Sequence, residues 1–276
     1  MPVSNKDAQH LLQVQNLEKR YVRASTVSQR EEVTALRGVS LSILPQVTLA
    51  LVGESGSGKS TLARCVACLD KPTSGTIRFG SDELTKLNEK DLRAIRPKIQ
   101  LVFQDPANSL NPRWTAFDIV SEPFVIQQRF SNQERRERTF ALLESVGLSS
   151  QKASQRPAEF SGGQRQRLAI ARALALEPQL LILDEALSAL DCSIQAQIVN
   201  LLFELQSSLG LSYLFITHDF AMAAHVSDEI VVMDHGQIVE TGPTERIARS
   251  PKHPVTQRLM TAATASQVLP RELQAV

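Results

Sequence analysis

The chain has 276 residues, 42% of them hydrophobic, with 30 lysines and arginines against 29 aspartates and glutamates. That length suits one large α/β domain, or a domain with an inserted subdomain and short tails, and a formal net charge of +1 offers no field that would gather nucleic acid by charge alone. Met1 to Asp7 lack the apolar run of a signal peptide and no later stretch stays apolar long enough to span a bilayer, so the chain is expected to be cytosolic.

In chain order, Leu11 to Val14 and Ala35 to Leu44 read as strands around a charged hairpin loop, Ser28 to Glu32, which predicts an antiparallel N-terminal flank. Val47 to Val52 is a short apolar run. Gly-Ser punctuation follows, then helical spacing from Ser60 to Leu69, closed by Pro72 and Gly75; this is the strand-loop-helix order of a parallel α/β sheet. Cys65 and Cys68 form a C-x-x-C inside that predicted helix, but no second ligand pair accompanies them and Cys192 stands alone. They are expected to be reduced packing residues. From about Gln104 to Pro157 the character is helical: Ser131 to Glu134 is a capping box, apolar positions follow at Phe140, Leu143 and Val146, and Gly147 supplies a stop. The sheet pattern returns with Leu180 to Leu183, a helix from Ile194 to Leu209 stopped by Gly210, and a strand from Tyr213 to Thr217. A hairpin then pairs Ile230 to Met233 with Gln237 to Glu240 around Asp234-His235-Gly236. An amphipathic segment, Val255 to Thr264, precedes a polar end expected to fray.

Gly53-Glu54-Ser55-Gly56-Ser57-Gly58-Lys59-Ser60 matches G-x-x-x-x-G-K-[ST] between a predicted strand and a predicted helix, and Thr61 follows it. This is the context of a P-loop: glycines let backbone N–H groups wrap phosphates, Lys59 reaches the β- and γ-phosphates, and the Ser60 hydroxyl can ligate Mg²⁺. Leu180 to Leu183 runs into Asp184 and Glu185. Beside a P-loop, Asp184 suits the Mg²⁺-orienting role and Glu185 that of a general base acting on water. Ser161-Gly162-Gly163-Gln164 is a capping box opening a helix from Arg165 to Leu176, and a glycine-rich helix start is also an anion-binding surface.

Phe160 to Gln164 resembles the signature of the ABC ATPases, and the other family motifs follow in order. The resemblance implies a P-loop NTPase core with an N-terminal antiparallel β subdomain and an inserted helical subdomain. It places an adenine-stacking aromatic at Tyr21 and starts the Q-loop at Gln104, which links Mg²⁺ and water to the transport subunits. It puts the D-loop at Ser188 to Asp191, with Asp191 coupling two sites, and a γ-phosphate contact at His218. In such a head-to-tail dimer, Ser161 to Gln164 grip the nucleotide held by the partner. Expected ligands are ATP and Mg²⁺. Phe103 to Arg113 and His253 to Leu259 are similar to segments of oligopeptide, dipeptide and nickel importer ATPases, although Val255 stands where that branch commonly has Tyr; Ala186-Leu187 after Glu185, in place of the Pro-Thr of general ABC usage, is a variation also seen in this branch.

That likeness implies a second, homologous ATPase subunit, two membrane permeases, an external solute-binding protein and a peripheral place on the cytoplasmic face of the membrane. The implied layout is a tail at 1–10, an ATP-binding domain at 11–250 with its helical part at about 104–177, and an importer-type tail at 251–276. Other classes stay open: an exporter ATPase, a soluble ABC ATPase without membrane partners, and an ATP binder without hydrolysis, which Glu185 opposes. Arg135, Arg136 and Arg138 alternate with Glu134 and Glu137 and read as a solvated helix face, so no nucleic-acid partner is expected.

Overall fold

A computed structural model of the chain describes residues 10–24, 30–105, 109–128 and 130–265. Part of the predicted hairpin loop, residues 106–108 after the Q-loop and the polar end of the tail lie outside them.

Strand β1 (Leu12–Ala24) pairs antiparallel with β2 (Arg30–Ile43). Leu12 and Val14 alternate inward; a register shift then puts Leu17 next in the core, where Asn16 takes φ 48°. Most of the charged stretch read as a loop is therefore strand, with Glu32 opposite Val22. Strand β3 (Thr48–Val52) is buried at every residue, as expected of a strand covered on both faces.

Helix α1 (Lys59–Val66) stops sooner than its spacing suggested. The Leu69 and Asp70 N–H groups both turn back to the Arg64 carbonyl, and Cys68 adopts φ 57°. Cys68 therefore lies outside the helix and half-buried, whereas Cys65 is buried within it and its thiol is pushed up to about 11 by desolvation. Gly75 closes no helix: it belongs to β4 (Ser74–Phe79), which pairs with β1 and with short β5 (Asp82–Glu83).

Next come α2 (Glu89–Ile95) and β6 (Ile99–Val102), neither of which was expected. Helix α3 (Ala116–Gln127) starts on a Thr115/Asp118 capping box, and α4 (Asn132–Ser145) on the predicted Ser131/Glu134 one. Helix α5 (Gly162–Leu174) and β7 (Leu180–Asp184) follow. Asp191 caps α6 (Cys192–Leu209), which Gly210 ends at φ 66°. Strand β8 (Ser212–Thr217), α7 (Phe220–Val226) and the hairpin β9 (Glu229–Asp234) and β10 (Gln237–Pro243) complete the sheet residues. The hairpin turns on His235 and Gly236, at φ 43° and 80°, the two positive values a tight right-twisted turn requires. Helices α8 (Thr244–Arg249) and α9 (Pro254–Ala265) close the described chain.

The chain divides into two compact units. One comprises the residues up to Arg93 and those from Ser212. It holds the antiparallel sheet β2-β1-β4-β5 and the strands β10-β9-β3-β8, in which β3 runs parallel to both neighbours. Part of its core joins Ala50 and Val52 to Phe220, Ala223, Ile230, Val232, Ile247 and Val255, so the last helix is packed into this unit. The other unit, Ala94 to Leu211, holds the parallel pair β6 and β7 and helices α3 to α6. The first unit thus combines parallel and antiparallel strands, with the glycine-rich loop following the buried strand β3. Among the described residues no helix is long and apolar enough to cross a membrane.

Candidate functional site

In the first unit, β3 delivers the chain into the loop Gly53 to Gly58. The loop is fixed by backbone: the Gly236 N–H in the β9–β10 turn donates to the Ser57 carbonyl at 2.9 Å, and the Ser57 N–H donates to Glu54 O at 3.2 Å. Gly58 caps α1 at φ 106°, and a Cβ there would sit 2.6 Å from the Ala35 carbonyl oxygen. Only glycine satisfies both the angle and the space. No side chain caps α1, so the orphan N–H groups and positive end of its dipole face the loop.

Lys59 is 4% exposed. Its ammonium donates to the carbonyls of Gly53 at 2.8 Å and Glu54 at 2.9 Å, and to Ser57 Oγ at 3.4 Å. A buried ammonium needs such acceptors, and here they hold it inside the curve of its own loop. Ser60 and Thr61 occupy the first turn of α1. Register places His218 with them: Val52 pairs with Thr217, so Gly53 and His218 leave neighbouring strands at the same sheet edge. His218 is exposed, and Asp219 behind it accepts from Met222 N–H to start α7.

Tyr21 lies on β1, and its hydroxyl donates to Asp70 Oδ2 at 2.9 Å. The Lys19 ammonium sits 4.8 Å from the ring centroid. Burial, then Asp70, pushes the Tyr21 hydroxyl above its ordinary pKa. Hydrogen bonding from Arg64 holds Asp70 below the ordinary carboxylate value. Sequence reasoning singled out Tyr21 and Thr61 but missed Asp70 and Arg64, which belong to no motif.

In the second unit, Val102 of β6 pairs with Leu183 of β7, so Gln104 and the pair Asp184, Glu185 emerge from the same ends of adjacent strands. Asp184 is 9% exposed. Gln104 Nε2 donates to Glu185 Oε2 at 3.3 Å. Glu185 adopts φ 48°, an uncommon backbone conformation for a residue with a Cβ. Its carbonyl oxygen accepts from both the N–H and the hydroxyl of Ser188, at 3.2 and 2.9 Å, which holds that conformation in place.

Ser161 caps α5. Its Oγ accepts from the Gln164 N–H at 3.3 Å, and its own N–H donates to Gln164 Oε1 at 3.0 Å. Gly162 and Gly163 are pressed against the start of α6: a Cβ on Gly162 would lie 3.3 Å from Leu190 Cδ2, and one on Gly163 only 2.5 Å from Ile194 Cγ2. Asp191 accepts from the Ile194 N–H at 3.0 Å and from Ser193 Oγ at 2.8 Å. These bonds, the backbone one first, hold its carboxylate below the ordinary range. The structure thus joins Ser161 to Gln164 with Ser188 to Asp191 through Ile194.

Loop, lysine and uncapped helix make an anion cradle, as a nucleotide polyphosphate requires. The Ser60 hydroxyl and Asp184 carboxylate are hard oxygen donors of the type Mg²⁺ takes. Among the described residues no three His, Cys, Asp or Glu side chains gather as a metal cluster.

Known proteins share the sequence and the fold of this chain. A family model described as ABC transporter matches residues 36–188. The chain is 44% identical to the dipeptide transport ATP-binding protein DppF of Escherichia coli (strain K12), over 92% of this chain and 76% of that one. It is also 44% identical to the oligopeptide transport ATP-binding protein AppF of Bacillus subtilis (strain 168), over 97% and 82%. Among solved structures, the dimeric post-hydrolysis state of the ATP-binding cassette MJ0796 bound to ADP and Pi superposes with a TM-score of 0.75 at 33% identity, covering 84% of this chain and 98% of that one. The chain belongs to the ABC transporter family of ATP-binding proteins.

Proposed function

We propose that this chain is the ATP-hydrolysing subunit of an importer for peptides or related solutes, including nickel or other metal chelates. The observation that carries the reading is the P-loop: Gly58 in a glycine-only conformation, α1 without a side-chain cap, and the Lys59 ammonium held within the loop. The relatives' transport of dipeptides and oligopeptides supports the solute class.

In this reading Gly53 to Thr61 and Lys59 hold the phosphates, Tyr21 stacks on adenine and His218 contacts the γ-phosphate. Ser60, Asp184 and Gln104 would hold Mg²⁺, which when bound would neutralise phosphate charge. Glu185 takes a proton from water as its oxygen bonds to the γ-phosphorus; the bond to the β–γ bridging oxygen breaks, leaving ADP and phosphate. The Gln104 contact orients Glu185 for that transfer. Ser161 to Gln164 serve the nucleotide of a second, homologous ATPase subunit, and Asp191 couples the two sites. Two permeases and an external solute-binding protein complete the machine, with this chain peripheral on the cytoplasmic face.

The test has two parts. With the chain assembled on its permeases, Glu185→Gln is expected to lower kcat by about a hundredfold or more while leaving the KM for ATP near its wild-type value. Cells carrying Lys59→Ala are expected to lose accumulation of a labelled peptide or nickel chelate; undiminished uptake of every such solute overturns the importer reading.

A further inference from the structure

The hydroxyl of Tyr21 is held at the far end of α1, where Asp70, just beyond the last turn, accepts its proton at 2.9 Å. Asp70 is itself fixed. Its backbone N–H donates to the Arg64 carbonyl at 3.2 Å. Its carboxylate takes the Arg64 guanidinium at both oxygens, Nε to Oδ2 at 2.9 Å and Nη2 to Oδ1 at 3.2 Å. This two-point fork leaves the carboxylate one orientation.

The strand carrying Tyr21 is stitched to the same turn. Thr73 N–H donates to Glu18 O at 2.8 Å, Arg20 N–H to Thr73 Oγ1 at 2.9 Å, and the Lys19 ammonium to Lys71 O at 2.7 Å. That last bond parks Lys19 over one face of the Tyr21 ring, an attractive place for a cation. The ring is therefore locked at its tip and covered on one side.

We infer that Asp70 and Arg64 are positioning residues for ATP: they fix the Tyr21 ring in the orientation that stacks on the purine, and leave it the face opposite Lys19 for that contact. The inference rests on the reading that Tyr21 stacks on adenine. An aromatic side chain on a strand loses rotamer freedom on binding a ligand, and a ring already held loses less. Because the same helix begins in the phosphate-binding loop, the lock also sets the distance between base platform and phosphate cradle through one rigid element. Preorganised binding of this kind acts on the ground and transition states alike, so it should appear in KM and not in kcat.

The experiment is steady-state ATP hydrolysis by the subunit assembled on its permeases, comparing wild type with Tyr21→Leu, Tyr21→Phe, Asp70→Ala and the Tyr21→Phe/Asp70→Ala double variant. Tyr21→Leu is expected to raise KM for ATP the most. Tyr21→Phe and Asp70→Ala should each raise it about three- to tenfold at unchanged kcat, and the double variant no further than the larger single, because both cut the same link. If Tyr21→Leu raises KM while Tyr21→Phe and Asp70→Ala do not, the ring stacks without the lock and the inference falls alone. If Tyr21→Leu leaves KM unchanged, the stacking reading fails and the inference with it. Tyr21→Phe alters one atom on a half-buried ring and tests the link should Asp70→Ala not fold.

Discussion

Helices α1 and α5 both open in glycine-rich sequence, yet their first turns are closed by different means. At α1 the cap is Gly58 in the left-handed region, with no side-chain cap bond, and the Lys59 ammonium is held within the preceding loop. At α5 a complete capping box satisfies the turn internally, with Ser161 and Gln164 exchanging hydrogen bonds. An uncapped start exposes its N–H groups and dipole to whatever anion the loop encloses. A capped start is stable alone and offers only what the box leaves over. The glycines differ accordingly: Gly58 is demanded by backbone angle, whereas Gly163 is demanded by the Ile194 side chain of the next helix.

The largest effect expected from this contrast is functional and confined to α1. Lys59→Ala should reduce kcat/KM for ATP by at least about a hundredfold, as loss of a charged phosphate ligand does, while the melting temperature of the subunit changes little. A large fall in stability with ATP turnover intact would reverse the assignment of this helix start.

Gly163→Ala should instead act on stability. The added methyl meets Ile194 Cγ2 at 2.5 Å, an overpacking that typically costs about 1–3 kcal/mol. Thermal unfolding should recover most of the loss in a Gly163→Ala/Ile194→Ala double variant; no recovery would show that the glycine answers some other need. Ser161→Ala removes the cap and should cost about 1 kcal/mol in denaturant unfolding. No comparable truncation exists at Gly58.

The smallest expected effect concerns Asp191. Its carboxylate pKa is lowered in the fold from the ordinary 3.8 by bonds from Ile194 N–H and Ser193 Oγ. A lowered folded value means that the cap's contribution is present above pH 3.8 and disappears as pH falls through the lower folded value. Wild type should therefore lose its stability advantage over Asp191→Asn in that acid window, and the two should show constant separation above it.

Much of this contrast is legible in the sequence. Lys59 and Ser161 announce themselves because a P-loop and a capping box are local patterns, each complete within eight residues and four residues. The end of α1 was misjudged because Pro72 and Gly75 looked like stop signals, while the carbonyl of Arg64 had already captured the Leu69 and Asp70 N–H groups. Asp70 was invisible for another reason: its partner Tyr21 is 49 residues away, and an aspartate after a helix carries no signal of its own. Glu240 is similar. Burial works against its charge, but N–H groups of His253 and Lys252 keep its carboxylate below the ordinary range. This fastens the importer-like tail to β10, a contact that spacing alone does not reveal.

The left-handed backbone at Glu185 has a consequence for anyone making inactive forms of this protein. The φ of 48° suits glycine or asparagine better than glutamate, so the residue proposed as the general base sits in a strained backbone conformation. Glu185→Gly and Glu185→Asn are thus expected to melt at higher temperature than the active protein, whereas Glu185→Gln keeps the strain. Heat resistance gained in an inactive variant would here report released tension and carry no evidence about nucleotide affinity.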